Sequence, residues 1–289
     1  MTLPARAIDG PEGPVRLGED LRVRCVAKRA FIACFREDVS TLQGHLMAQG
    51  IATQEMRGTY SRKELAYSPN IRCLLTHRQI WRTCESLEGQ TLVVEADFVP
   101  VRRFGECRVP SGWLERPGFA WLYSVSPTFY RLDGTGAAIG EGAGTVAYLL
   151  SGAVAAAMLE FSEEILAGPD PCAYRLWETE FRTFLRNRKG IPTYVPYRHY
   201  GEHGGRPNPE HLRNRGFPPH RADCLLGPLA FVPDYAEGQR WRARRVRAAA
   251  KIKGFARLAL GRALPLASYR NEPDPRLIWF AISRLLTLY

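Results

Sequence analysis

Two acidic residues that end an apolar run are the first candidates for chemistry in this sequence. Glu95 and Asp97 follow residues 91–94, with Ala96 between them. In an extended chain, residues two apart point to the same side, roughly 6–7 Å apart along the strand, so these carboxylates would converge. At the carboxyl ends of strands in open α/β sheets, carboxylates hold divalent cations that bridge substrate phosphates. The spacing therefore predicts a cation and phosphate site, and the alternative is a strand end that turns into solvent.

The residues around this pair predict strands that alternate with helices. Residues 91–94 are continuously apolar, which suits a central strand buried on both faces. Alternation of strands and helices is typical of an α/β fold. The predicted strands are residues 31–35, 51–56, 91–94, 119–125 and 128–132. The predicted helices are residues 38–49, 69 to about 89, 151–166 and 174–188. Ser151 can cap the third of these helices.

Four segments, taken in order, resemble a known family. They are FIACFRED (31–38), CLLTHRQIW (73–81), TLVVEADFV (91–99) and GTVAYLLS (144–151). The family 25 glycosyltransferases of lipopolysaccharide biosynthesis have a first strand followed by Arg and a Ser/Thr-His pair before a Trp-bearing helix. They also have a strand that ends Glu-Asp-Asp and a Gly-Thr-x-x-Tyr-x-x-Ser segment. The positions of this chain that match are Arg36, His77, Trp81, Glu95, Asp97, Thr145, Tyr148 and Ser151.

The resemblance covers about residues 31–166 and implies both a fold and an activity. It implies a GT-A-like α/β fold with a mixed sheet flanked by helices. It also implies inverting transfer of a hexose, often galactose, from a nucleotide-diphosphate sugar such as a UDP-sugar to a cell-envelope glycan such as lipopolysaccharide. On this basis the nucleotide sugar would be bound by Arg36, His77, Glu95, Asp97, Thr145 and Tyr148, with Mn²⁺ or Mg²⁺ at Glu95 and Asp97.

One residue departs from the family pattern. Ala96 stands where the family has its middle acidic residue. On a strand this position faces away from Glu95 and Asp97, so these two can still act as a pair, and the use of a metal stays an open question. The departure also motivates an alternative function, a non-catalytic relative that binds sugar nucleotides.

Two further carboxylates are candidates for the catalytic base. Inverting transfer needs a base that takes the proton of the acceptor hydroxyl, and a carboxylate is the usual choice. Glu178 and Glu180 follow the Tyr-x-x-Ser segment at about the distance of an acidic residue in the resembled family. On a helix, residues two apart diverge by about 200°, so at most one of them should face the substrate. The alternative is a pair of solvated helix carboxylates.

The segment from His199 to His203 formally matches H-x-x-E-H, a zinc-peptidase signature. That signature needs a helix, and the surrounding glycines and prolines disfavour one, so we do not predict a peptidase. The segment instead predicts a loop that binds donor or acceptor, because glycines allow close backbone approach. An ordered structural loop is the alternative. The loop residues concerned are Tyr200, Glu202, His203, Gly204 and Gly205.

The glycine-rich run at residues 134–144 lacks the G-x-G-x-x-G spacing of a dinucleotide site. We predict a loop near the sugar site, and an ordinary surface loop is equally compatible with this composition.

Positive charge is concentrated near the C-terminus. The chain has a net charge of +11, and residues 237–262 contain nine Lys and Arg against one Glu. On a helical projection Trp241, Ile252 and Phe255 share a face that most basic residues leave free. This pattern predicts an amphipathic helix at residues 240–262 on an anionic membrane surface. A nucleic-acid surface and a solvated helix packed on the domain are the alternatives, and no nucleic-acid partner is expected.

Composition sets the broad class. The fractions of 24% charged and 45% hydrophobic residues exclude collagen-like, disordered and disulfide-scaffold chains. Seven widely spaced cysteines without a C-x-x-C pair predict free thiols. We expect no signal peptide or membrane span, and therefore a cytoplasmic protein peripheral to the inner face of the cytoplasmic membrane. The expected organisation is a tail at 1–20, a catalytic domain at 21–235 and a basic helical segment at 236–289.

Overall fold

The computed structural model of the chain describes residues 21–135, 137–206, 221–265 and 273–289. Within these ranges a mixed eight-stranded sheet is flanked by helices, which confirms the predicted α/β architecture. The predicted tail at residues 1–20 lies outside the described residues. The strands are β1 (Arg29–Cys34), β2 (Ala52–Arg57), β3 (Gln90–Glu95), β4 (Phe98–Pro100), β5 (Phe119–Tyr123), β6 (Thr128–Leu132), β7 (Ala138–Glu141), β8 (Ala147–Ser151), β9 (Thr193–Val195) and β10 (Gly201–His203). The sheet order is β2-β1-β3-β8-β5-β9-β7-β6, and β10 pairs with β4.

The first three strands form a parallel half of the sheet. After the short helix α1 (Val23–Val26), β1 and β2 are joined by helix α2 (Ser40–Ala48) and run parallel. β1 also pairs in parallel with β3. The predicted strand-helix-strand unit is confirmed, and the carboxyl ends of these strands meet at one edge of the sheet.

Helix α3 (Pro69–Cys84) packs on one face of the parallel half of the sheet and carries His77, one of the predicted site residues. Its start follows from the sequence, because Ser68 accepts a hydrogen bond from the Ile71 N–H at 3.2 Å and Pro69 fits the first turn. The apolar residues of β3 are fully buried, as predicted for a central strand. The helix ends at Cys84, before the predicted stop at Gly89.

The second half of the sheet is mixed, and it corrects the prediction at one point. After the short helix α4 (Gly112–Glu115), β5 pairs with β8, which runs antiparallel to both β5 and β3. The predicted loop at residues 134–144 contains β7, which pairs antiparallel with β6 and β9. Ala138 and Ile139 of β7 are buried where the strand pairs with its neighbours. The segment forms a strand because these side chains are buried, although its glycine content is typical of a loop.

Two helices follow β8 and pack beside α3. Helix α5 (Gly152–Leu166) begins where predicted, but the Ser151 side chain makes no capping hydrogen bond. Helix α6 (Trp177–Thr183) starts three residues later than predicted and continues as a π-helical turn, Phe184–Arg188. A core of large side chains joins these helices to one face of the sheet, including Trp81, Met158, Phe161, Trp177 and Phe181.

The C-terminal segment contains the predicted basic helix, α7 (Arg240–Ala259), followed by α8 (Pro275–Ser283). Ala250 and Gly254 form the buried side of α7. After α8, the Arg284 side chain is 1% exposed and donates to both carboxylate oxygens of Asp223, at 2.6 and 2.8 Å. In the part of the chain that the structure describes, no helix is long and apolar enough to cross a bilayer.

Candidate functional site

A cleft of about 260 Å³ opens at the carboxyl end of β3, between this strand and the N-terminal half of α3. Ligands of open α/β sheets bind at this position, outside the carboxyl ends of the strands. Glu95 and Asp97 both line the cleft, so the structure brings the two predicted carboxylates to one cavity. The remaining lining residues are Ala33, Cys34, Phe35, Glu37, Tyr60, Pro69, Arg72, Cys73, Thr76 and Ala96.

Glu95 is held by residues from two other segments of the chain. Its Oε1 atom accepts a hydrogen bond from the Thr145 hydroxyl at 2.7 Å and lies 3.2 Å from Nε2 of His77. His77 is fully buried on α3, whereas the Glu95 side chain is 22% exposed. One carboxylate oxygen is therefore fixed from the protein side while the residue still faces the cleft.

The same network continues into the core. The Tyr148 hydroxyl lies 2.9 Å from Nδ1 of His77 and accepts a hydrogen bond from Nε1 of Trp81, also at 2.9 Å. Burial raises the pKa of Tyr148 well above its usual value, so the hydroxyl stays neutral. Trp81, Tyr148, His77, Glu95 and Thr145 thus form one continuous hydrogen-bonded network, which we call the Glu95 network.

Asp97 is paired with a residue from the predicted loop. Its Oδ2 atom lies 2.8 Å from Nε2 of His203, on strand β10. Burial opposes charge on both groups, but the charge of Asp97 raises the pKa of His203 above its ordinary value and the charge of His203 holds the pKa of Asp97 below its own. The pair is therefore an ion pair on the edge of the cleft.

Gly204 and Gly205 allow the chain to pass close to Asp97. A Cβ atom on Gly205 would lie 2.1 Å from Oδ2 of Asp97, and one on Gly204 would lie 2.4 Å from the Val99 side chain. The Gly204 N–H also donates to the Asp97 carbonyl at 2.8 Å. The close contacts of these glycines are made to Asp97 and Val99 within the protein, and their contact with a donor or acceptor stays a prediction.

The other residues predicted in this loop are buried in the protein. Tyr200 is 3% exposed and donates its hydroxyl proton to the Arg108 carbonyl at 2.7 Å. Glu202 is fully buried and accepts hydrogen bonds from Arg247 of α7 at 2.7 Å and from the Ala222 N–H at 2.8 Å. Neither Tyr200 nor Glu202 lines the cleft.

The two candidate bases have different surroundings. Oε1 of Glu178 accepts a hydrogen bond at 2.5 Å from the Asn70 side chain, in the first turn of α3. Glu180 accepts two hydrogen bonds from Arg175, at 2.9 and 2.7 Å, in a bidentate ion pair. Neither Glu178 nor Glu180 lines the cleft, but Asn70, the partner of Glu178, follows directly on Pro69 in the cleft wall.

Two further residues that match the family motifs, Arg36 and Ser151, do not line the cleft. Arg36 is exposed, and its guanidinium lies 4.8 Å from the ring centroid of Phe35, which lines the cleft. Ser151 pairs with Gln90 at the opposite end of β3 from Glu95, because β8 runs antiparallel to β3. Arg36 is therefore at the rim, and Ser151 is not part of the site.

The H-x-x-E-H segment does not form a metallopeptidase site. It contains strand β10 instead of a helix, and its two histidines face different partners. Nε2 of His199 lies 3.2 Å from Asp223, whereas His203 is paired with Asp97. Burial lowers the pKa of His199 although Asp223 opposes this shift.

A hard divalent cation fits the carboxylate edge of the cleft. Mg²⁺ and ions like it are held by one or two carboxylates together with substrate phosphates. Glu95 and Asp97 supply those carboxylates, and Oδ1 of Asp97 is buried without a hydrogen-bond partner within the described ranges. A cation together with its bound water or phosphate would satisfy this oxygen.

Sequence reasoning did not single out most of the cleft lining, including Tyr60, Arg72, Cys73 and Thr76. The Tyr60 hydroxyl lies 2.7 Å from the Thr76 hydroxyl, which fixes the outer wall. Nε of Arg72 is buried and has no acceptor among the described residues. The available signal was helical spacing, since Cys73 and His77 lie one turn apart in CLLTHRQIW and must share a face.

The cleft has an acidic field. Three carboxylates line it, from Glu37, Glu95 and Asp97, against the single guanidinium of Arg72. Burial raises the pKa of the Cys73 thiol well above its usual value, and the charges of Glu95 and Glu178 raise it further. An anionic ligand would need an accompanying cation here, because phosphates alone would be repelled.

Comparisons with known proteins add little. No family model matches the chain, and no curated protein matches it. One solved structure that resembles part of it is a nucleoside-diphosphate-sugar pyrophosphorylase from Vibrio cholerae RC9, at 16% identity and a TM-score of 0.32. The alignment covers 57% of this chain and 70% of that chain. At this level the likeness bears on neither activity nor substrate.

The ion pair at the cleft predicts a histidine with an elevated pKa. His203 should titrate above 6.5 in an NMR pH series, and Asp97→Asn should lower its pKa by removing the negative charge. The stabilisation from the pair should be complete between about pH 3.8 and 6.5, and should be lost as pH falls through the folded pKa of Asp97 or rises through that of His203.

His45 is the internal reference for this titration. Burial lowers its pKa, and Asp97→Asn should leave it unchanged. A His203 pKa at or below 6.5, or one that Asp97→Asn does not move, would contradict the ion pair.

Proposed function

We propose that the chain is a glycosyltransferase that moves a hexose, with inversion, from a nucleotide-diphosphate sugar to a glycan of the cell envelope. One observation carries the proposal. Five residues that match the family 25 glycosyltransferase motifs, from three separate segments, meet in the Glu95 network at the wall of one cleft. Residues that matched the family motifs only by chance would not be expected to form one continuous hydrogen-bonded network.

The donor would bind with its diphosphate near Glu95 and Asp97. A Mn²⁺ or Mg²⁺ ion held by these carboxylates would neutralise charge on the departing diphosphate. Arg72 would donate to a phosphate oxygen, which is supported by its buried Nε having no acceptor in the described chain. Arg36 at the rim would add a second positive charge from the solvent side.

Glu178 would act as the base. It is anchored by Asn70 on α3, and its charge acts on the Cys73 thiol in the cleft wall. Inversion requires that the acceptor hydroxyl loses its proton while its oxygen attacks the anomeric carbon opposite the diphosphate. Glu180 is held by Arg175 and would serve the fold of α6 instead.

One residue favours a second candidate function. Ala96 lines the cleft where the resembled family has an acid, so the chain could bind sugar nucleotides without turning them over. Donor binding without turnover, with or without Mn²⁺, would favour this non-catalytic relative.

The acceptor and the membrane would meet the chain at α7. The side of the helix opposite Ala250 and Gly254 is exposed and apolar along its centre, with Trp241 53%, Ile252 69% and Phe255 42% exposed. Basic residues flank this stripe. Such a helix lies in the plane of an anionic bilayer, with its apolar side chains inserted and each cation contributing about 1 kcal/mol. A peripheral position on the cytoplasmic membrane would bring the cleft to a lipid-linked acceptor.

The role of Glu178 can be separated from that of Glu180. Glu178→Gln should lower the rate of UDP release, measured with UDP-hexoses and acceptor extracts, by about 10²–10⁴-fold, because a general base is lost. Thermal shift should show that the variant still binds the donor, and Mn²⁺ should strengthen the shift. Glu180→Gln, which breaks a half-exposed ion pair, is the matched control and should turn over nearly as the natural chain does.

The proposal has a clear failure. If no common nucleotide sugar binds or is turned over, with or without Mn²⁺, the transferase function is wrong. If Glu180→Gln abolishes turnover and Glu178→Gln does not, the base assignment is wrong.

Membrane attachment can be tested by flotation. The chain should float with vesicles of phosphatidylglycerol and phosphatidylethanolamine, less with phosphatidylcholine alone, and less at high salt. Trp241→Glu combined with Ile252→Glu should abolish flotation. Met47→Glu, at an exposed apolar residue of α2, is the control and should float normally. No flotation together with salt-sensitive binding of RNA or DNA would overturn the membrane assignment in favour of a nucleic-acid surface.

A further inference from the structure

A second set of donor atoms lies in the wall of the cleft, and it differs in kind from the carboxylate pair. One ligand atom each from Cys73, His77 and Glu95 all lie within 4.8 Å of one another. A sulfur, an imidazole nitrogen and a carboxylate oxygen are the ligand types that zinc uses in proteins. Mn²⁺ and Mg²⁺ prefer oxygen, so this set selects a softer ion.

We infer that Cys73, His77 and Glu95 form a zinc site in the free protein. Three protein ligands with a fourth position open to a cavity is the arrangement of zinc sites that keep a water or substrate ligand. Cys73 and Glu95 line the cleft, so the open position would face it. Ligand atoms of a tetrahedral zinc lie about 3.3–3.8 Å apart, so only a small closing of the group is needed.

The backbone already places these ligands on rigid elements. Cys73 and His77 lie one turn apart on α3 and share a face, and Glu95 ends β3 beneath that face. Nε2 of His77 is 3.2 Å from Glu95, so this nitrogen points toward the shared position.

The Glu95 network supplies the outer support that a zinc-bound histidine needs. Histidines that bind metal through one ring nitrogen usually donate the other N–H to an oxygen, which fixes the ring. The Tyr148 hydroxyl lies 2.9 Å from Nδ1 of His77 and is itself held by Trp81. On zinc binding the Nδ1–H would donate to Tyr148, Nε2 would bind the ion, and the Cys73 thiol would release its proton to solvent.

The charges around the site favour a cation. The carboxylates of Glu37, Glu95, Asp97 and Glu178 all act on the Cys73 thiol. Zinc at this position would reduce their mutual repulsion. Glu95 belongs to both donor sets, so zinc and a Mn²⁺-bound donor would exclude each other, a consequence that rests on the proposed function.

The test is zinc binding by the full chain, which does not depend on any transferase activity. After dialysis against zinc with a phosphine reductant, elemental analysis should find about one zinc per chain. Co²⁺ in place of zinc should give a sulfur-to-metal charge-transfer band. That band also distinguishes this site from the H-x-x-E-H segment, which has no sulfur ligand.

Variants locate the site. Cys73→Ser should abolish the charge-transfer band and lower zinc affinity at least 10–100-fold. Tyr148→Phe, which removes the hydroxyl that supports His77 and also accepts from Trp81, should weaken zinc roughly 10-fold and keep the band. Cys107→Ser, at another half-buried thiol, is the matched control and should bind as the natural chain does. Circular dichroism checks that each variant folds.

The inference is overturned if the natural chain binds no zinc after dialysis, if Cys73→Ser binds zinc as tightly as the natural chain, or if the Co²⁺ complex lacks the sulfur band. None of these measurements depends on donor binding. The zinc site can therefore be disproved without disproving the transferase function, and the reverse also holds.

Discussion

The contact on which the site depends is the buried hydrogen bond between Tyr148 and His77. It joins β8 to α3 across residues that are 71 positions apart in the chain, and it sets the direction in which the imidazole meets Glu95. Tyr148 lies opposite Val93 on the neighbouring strand β3. The register between β8 and β3 therefore fixes the position of Tyr148 along β3 relative to the cleft. Because both groups are fully buried, loss of either partner would leave an unsatisfied polar group at a cost of about 1–3 kcal/mol. The network is therefore both a structural tie and the support of the cleft.

The sequence is sufficient to predict the part of the site that local patterns encode. Glu95 follows a continuous apolar run, and His77 lies at helical spacing in a segment opened by Ser-Pro, so strand, helix and carboxylate could each be predicted. The partner of Asp97 could not be predicted, because His203 lies 106 positions away in the chain and reaches it through the pairing of two three-residue strands. Strands this short carry too little periodicity to be recognised. Strand β7 was not predicted for the same reason. It forms by pairing with β6 and β9, although it lies in a glycine-rich run.

Charge in this chain has two separate roles. On the outside of α7, cations flank an apolar stripe and remain in solvent. On its inside, Arg247 enters the protein to meet the fully buried Glu202, next to the residue that holds Asp97. Arg284 likewise neutralises Asp223 in the interior. Breaking a buried pair from one side typically costs about 3–5 kcal/mol, whereas an exposed one costs less than about 1 kcal/mol. Net charge alone could not reveal this division, because it depends on which side of the helix each residue occupies.

The central claim is that the cleft beside Glu95 and Asp97 holds the diphosphate of a sugar nucleotide. The most direct measurement is a crystal structure of the chain grown with a UDP-sugar and Mn²⁺. We expect density for the diphosphate within hydrogen-bonding distance of Arg72 and a cation bound to the two carboxylates, with the Glu95 network unchanged. Density for the nucleotide elsewhere, such as on the basic face of α7, with the cleft occupied only by water, would contradict the account.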